Sequence, residues 1–210
     1  MIMEQKIGSR LEPLLDTRAL LAALVLVAGV TGNNLWIHRG DPPLGYARYS
    51  GYGFTMDYSQ RMSVFDGNLG GYGRPTEEGG MMQARMQGEG LEQFGVIWMS
   101  PESISSSLER TPEGALEQLF GSIGLGGTMI SGRGELMAMT KDGHEMVYQT
   151  FTLLDSGYNI PAIIGCWYCE ESGKFLMLYL VYVPDVSQPE AVSPEMESVW
   201  LGYLDRLTCH

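Results

Sequence analysis

The sequence predicts an α+β fold: an antiparallel β-sheet of about six strands flanked by helices, preceded by one N-terminal apolar helix. Three observations predict it. Glycine is abundant, 28 of 210 residues, which favours turns and short strands over a helical bundle. Apolar runs of strand length recur, and turn pairs such as Asp142-Gly143 and Ser172-Gly173 separate them. Two amphipathic stretches with capping signals stand among and after these runs. Consecutive strands joined by tight turns make an antiparallel sheet, and the helices must bury their apolar stripes on it.

The first element is the apolar run Ala19 to Val30, 12 residues without a charge. Extended to Ile37 it covers 19 residues, close to the ~20 that span a bilayer, with Trp36 at the far interface. It reads as a transmembrane signal anchor. A cleaved signal peptide and a buried core helix are the alternatives. Lys6, Arg10 and Arg18 precede the run, which favours a cytoplasmic segment at 1–18 and a domain outside the cytoplasm. Residues 38–50, with Pro42, Pro43 and Gly45, read as a linker, and 51–210 as the extracytoplasmic domain.

Within that domain Gly53 to Tyr58 alternates, with Phe54, Met56 and Tyr58 on one face. Met81–Gln87 and Phe94–Met99 are the next strands. Thr111-Pro112-Glu113 then supplies an N-cap, a proline at the first helical position and an acid in the first turn. Ala115, Leu116, Leu119, Phe120 and Ile123 form the stripe of this helix, and Gly124 is its expected C-cap. Strands follow at Leu136–Thr140, His144–Leu154, Ile163–Cys169 and Phe175–Val183. Ser193-Pro194-Glu195 repeats the start signal, and Met196, Val199, Trp200, Tyr203, Leu204 and Leu207 keep helical spacing.

The net charge is −12. Residues 1–30 balance three basic against three acidic side chains, so the excess lies in the domain. Such a surface repels nucleic acid and anionic lipid, while basic proteins and cations remain open as partners.

An opening strand of the form GFTMDYS (Gly53 to Ser59), a helix after a strand ending in Ser100-Pro101, and a terminal hairpin Ile163 to Val183 followed by a last helix resemble the PsbP-like fold. That fold is shared by the photosystem II extrinsic protein PsbP and the Ran-binding protein Mog. The segment CWYCEESGKFLMLYLVY with the chain end Thr208-Cys209-His210 is similar to archaeal secreted domains of this type. The resemblance covers about residues 46–210. It implies an α/β/α sandwich and a binding or assembly-supporting module without catalysis, and no catalytic residue carries over.

Three cysteines are present. Cys166 and Cys169, three apart on one strand, point to opposite faces. Cys169 shares its face with Trp167, and Cys209 follows a helix that must pack on one face. A Cys169–Cys209 disulfide is therefore expected, with Cys166 a buried free thiol. It would close a loop of about 40 residues, worth about 3–4 kcal/mol in the chain-entropy model. A zinc set of Cys166, Cys169, Cys209 and His210 has suitable atoms but awkwardly adjacent last ligands. Redox catalysis is disfavoured because the CxxC lies in a strand and not at a helix start.

Other candidates are weaker. Phe120-Gly121-Ser122-Ile123-Gly124 misses the nucleophile-elbow spacing, and Gly124-Leu125-Gly126-Gly127 follows a helix where a phosphate loop would precede one. Asp142, His144 and Glu145 are weak candidate cation ligands. Met81, Met82 and Met86 suggest core packing more than copper(I). Tyr46, Tyr49, Tyr52, Tyr58 and Tyr72 could form a partner-binding aromatic collar, or pack the linker on the domain. The function expected is a non-catalytic, membrane-anchored module, without cofactor, that binds or stabilises a partner protein or larger membrane complex. The alternative is an extracytoplasmic cation- or metal-binding domain.

Overall fold

The computed structural model describes residues 41–69, 73–86, 90–123, 129–155, 157–190 and 192–210. The expected apolar helix at 19–37 lies outside these. No helix among the described residues is long and apolar enough to cross a membrane.

Residues 42–210 form one compact unit. Strands β1 (Tyr46–Gly51), β2 (Phe54–Ser59), β3 (Met62–Gly67), β4 (Gly79–Met86) and β5 (Leu91–Met99) precede helix α1 (Pro112–Ile123). Strands β6 (Met129–Arg133), β7 (Met137–Lys141), β8 (His144–Asp155), β9 (Tyr158–Cys169) and β10 (Lys174–Val183) follow it. Helix α2 (Met196–Leu204) and strand β11 (Leu207–Cys209) close the chain. Eight strands form one sheet in the order β3-β4-β5-β10-β9-β8-β6, with β7 also on β8. Three form a second, β1-β2-β11, and every pairing is antiparallel.

This corrects the expected α+β sandwich of about six strands with an N-terminal helix. The described chain is predominantly antiparallel β, with two sheets and two α-helices. The extra strands escaped the sequence for physical reasons. β3 is buried only at its two ends and so lacks a period-two pattern. β1 occupies part of the segment read as linker, and β6 is a five-residue edge strand with a register shift between Ile130 and Gly132. Leu207 continues the apolar stripe of α2, yet the chain turns at Asp205-Arg206 and Leu207 opens β11 instead.

Both faces of the large sheet are covered, which is why β10 reads as an unbroken apolar run, FLMLYLVYV. On one face α1 packs Ala115, Leu116, Leu119 and Phe120 with Ile164, Cys166, Phe175 and Met177. Thr111 caps that helix, its Oγ1 accepting from the Gly114 amide at 3.2 Å. On the other face α2 and the three-stranded sheet bury Trp98, Trp167 and Trp200 with Phe54, Met56 and Leu207. Trp200 lies over Gly165 on β9, where an added Cβ would stand 2.7 Å from its ring. Its indole N–H donates to the Leu178 carbonyl at 3.0 Å.

Trp200 is fully buried. Trp200→Ala is expected to cost about 3–5 kcal/mol in urea unfolding of the full chain, from lost burial and the cavity left behind. A loss below about 1 kcal/mol would show that α2 is not part of the cooperative core.

Candidate functional site

At one end of the large sheet three hairpin turns meet the C-terminal strand. The β7–β8 turn has Asp142 at φ 52° and Gly143 at φ 89°, the double left-handed conformation of a tight hairpin. It leads directly into His144. The β8–β9 register pairs Met146 with Trp167, and two residues further along this ladder His144 falls opposite Cys169. The loop after Cys169 is closed by the Gly173 amide donating to the Cys169 carbonyl at 2.9 Å, and it carries Glu171. Cys209 pairs with Phe54 across β11–β2. The β1–β2 turn presses on the same loop: a Cβ on Gly53 would fall 2.3 Å from Cβ of Ser172.

These elements bring a carboxylate, an imidazole and two thiols together. Glu171 Oε2 accepts from Cys169 Sγ at 3.4 Å and from Cys209 Sγ at 3.6 Å. His144 Nε2 lies 3.5 Å from Glu171 Oε2 and 3.6 Å from Cys209 Sγ. Cys169 Sγ also accepts from the Ser172 amide at 3.5 Å. Burial, then Cys169, then Glu171 push the Cys209 thiol up to about 12, so it is held protonated at neutral pH. Glu171 is held low by its own backbone amide first and by the Cys169 thiol next.

The three cysteines are free thiols here. Cys166 is buried on the α1 face, and Cys169 on the face that packs Trp167 and Trp200. Burial raises the Cys166 thiol well above its ordinary range. Of the three candidate cation ligands, only His144 enters the cluster. Asp142 pairs with Lys141, and Glu145 lines a separate depression with Thr111, Glu113 and Thr140. His210, weighed with the cysteines, binds Gly53 through its backbone amide at 3.0 Å. Sequence reasoning missed Glu171; its signal was the spacing Cys169-x-Glu171 within a hairpin loop.

The tyrosines have intramolecular partners. Tyr52 stacks on Trp98 at 4.4 Å and Tyr49 on Phe54 at 5.6 Å. Tyr46 carries the Arg206 guanidinium at 5.0 Å, and Tyr58 packs on the core. Tyr72 lies outside the described residues. Met82 is buried, while Met81 packs toward the opposite face. Ser122 sits within α1, its hydroxyl bonded to the Gln118 carbonyl at 2.8 Å.

No sequence-family model and no curated protein sequence matches the chain. Among solved structures it is similar to the solution structure of cyanobacterial PsbP from Synechocystis sp. PCC 6803. The TM-score is 0.52 at 12% identity, over 81% of this chain and 96% of that one. It is also similar to the crystal structure of a protein of unknown function from Pseudomonas aeruginosa, with TM-score 0.40 at 11% identity over 79% and 97% of the two chains. The first likeness shows the fold: it is PsbP-like. These comparisons do not extend the resemblance to archaeal domains.

A second concavity, of about 240 Å³, lies on the α1 face and is lined by Leu69, Leu119, Phe151, Gln83, Gln93 and Tyr179 among others. Burial pushes the Tyr179 hydroxyl up to about 12, against the opposing hydrogen bonds of Gln93 and Gln83. Tyr203 is also raised, by burial and then by its hydrogen bond to Glu92, and Tyr49 by burial and then Asp66. With folded pKa values above the ordinary 10.0, the folded chain keeps phenolic protons that the unfolded chain loses. Their stabilisation is complete below about pH 10, and that of Tyr179 is lost as pH rises through about 12. Urea midpoints should therefore fall between about pH 10 and 12, and Tyr179→Phe should reduce that fall; an unchanged fall would place Tyr179 in an open, solvated setting.

Proposed function

We propose that the chain is a non-catalytic accessory module that binds or stabilises a partner protein or larger membrane complex. Residues 19–37 hold it at the membrane, and the domain at 51–210 stands outside the cytoplasm. The PsbP-like fold supports this reading through what the resemblance implies, and the acidic surface favours a partner with a basic or neutral face.

The observation that carries it is the edge formed by β3. Among the described residues β3 has a ladder partner on one side only, β4. Its free edge leaves backbone N–H and C=O groups open to strand addition. Val64 and Phe65 are exposed on it, Phe65 by 52%. Leu69 nearby is exposed by 37%. Natural edge strands are normally blunted by charges, proline or a bulge; Met62–Gly67 has no proline or bulge, and its one charge, Asp66, accepts a hydrogen bond from Tyr49.

Native mass spectrometry of material extracted from its own membranes in mild detergent tests the reading. The full chain of 23.2 kDa is expected within a heavier assembly. Val64→Lys with Phe65→Lys should weaken that assembly at least about tenfold, equal to ~1.4 kcal/mol. Wild-type chain recovered alone from the membrane contradicts it.

A further inference from the structure

The sulfur, nitrogen and oxygen atoms gathered at the sheet end are spaced as ligands of one ion. A charge-assisted N–H···O bond between imidazole and carboxylate closes to about 2.7–2.9 Å. Here His144 Nε2 and Glu171 Oε2 stand 3.5 Å apart. Around a tetrahedral zinc with Zn–S of about 2.3 Å and Zn–N or Zn–O of about 2.0 Å, sulfur lies about 3.5 Å from nitrogen or oxygen, and nitrogen about 3.3 Å from oxygen. The observed S···O separations are 3.4 and 3.6 Å, and the S···N separation is 3.6 Å. The donor atoms of His144, Glu171 and Cys209 all lie within 4.8 Å of one another. Cys169 Sγ donates to Glu171 Oε2 at 3.4 Å and accepts from the Ser172 amide at 3.5 Å.

We infer that His144, Glu171 and Cys209 form a zinc-binding site, with Cys169 beside Glu171 at its edge. A cysteine, an imidazole and a carboxylate suit zinc, which displaces the Cys209 proton to solvent and takes water as its fourth ligand, whereas calcium and magnesium require oxygen-rich shells. Separate backbone constraints place the donors: the β8–β9 ladder for His144, the closed hairpin loop for Glu171, and the β11–β2 ladder for Cys209. Access is also provided. The Glu171 side chain is 57% exposed and His144 only 15%, so an ion can enter past the carboxylate and be held by the shielded groups. Bound zinc would join the C-terminal strand to two hairpins of the large sheet. This site is independent of the β3 edge, and partner binding can fail without affecting it.

The test uses the full chain in mild detergent, reduced and stripped of metal, titrated with zinc chloride by calorimetry. Cobalt(II) serves as the spectroscopic probe. One zinc per chain is expected, and the cobalt form should show thiolate-to-metal charge transfer with tetrahedral ligand-field bands. Loss of a supporting group around a bound metal costs roughly 10–100-fold in affinity, so loss of a ligand by Cys209→Ser should cost at least about a hundredfold. Exposed Glu171→Gln should weaken binding without unfolding the chain, and Cys166→Ala, on the opposite face, should leave it unchanged. Absence of saturable binding, or binding unaffected by both Cys209→Ser and Glu171→Gln, overturns the inference. So does native chain recovered with a Cys169–Cys209 bond, two hydrogens lighter and free of metal.

Discussion

The fold depends on how the last fifteen residues seat on the large sheet. Trp200 fills the space over Gly165, and its indole N–H is satisfied by the Leu178 carbonyl on the central strand. A tryptophan can be buried this fully only where that N–H finds an acceptor. Once α2 is fixed, the turn at Asp205-Arg206 delivers Leu207 into the core and β11 onto β2. The three-stranded sheet therefore depends on the chain end for its third strand, and it carries Phe54 and Met56 onto the same core.

That seating also assembles the site. His144, Cys169 and Glu171 belong to neighbouring hairpins of one sheet, and their spacing follows from its register. Cys209 arrives from a different sheet, 38 residues after Glu171 in the chain. The close approach of Gly53 to Ser172 aligns the small sheet with the hairpin loop. Any side chain at position 53 would separate them, and its φ of +88° disfavours one as well.

Much of this was legible in the sequence, for reasons tied to particular residues. The start of α1 was marked by Thr111-Pro112, and the long strands β8, β9 and β10 by their apolar runs and turn pairs; Ser193-Pro194 lies just ahead of α2, which starts at Met196 after Glu195 without a side-chain cap. The strand count was not legible, because β1, β3, β6 and β11 are short and lie at sheet edges. The opposite facing of Cys166 and Cys169 followed from strand geometry alone. The meeting of His144 with Cys209 did not, since it requires the order of strands across two sheets. Glu171 was hidden by its setting, an acid in a polar hairpin loop that resembles any solvated turn.

Native-state hydrogen exchange of the full chain tests the central claim, that the chain end belongs to the cooperative core. The amides of Thr208 and His210, which face β2, should exchange only with global unfolding, at the same free energy as the interior of β10. Exchange at the rate of a frayed terminus would detach Cys209 from the other donors and contradict the account of both the fold and the site.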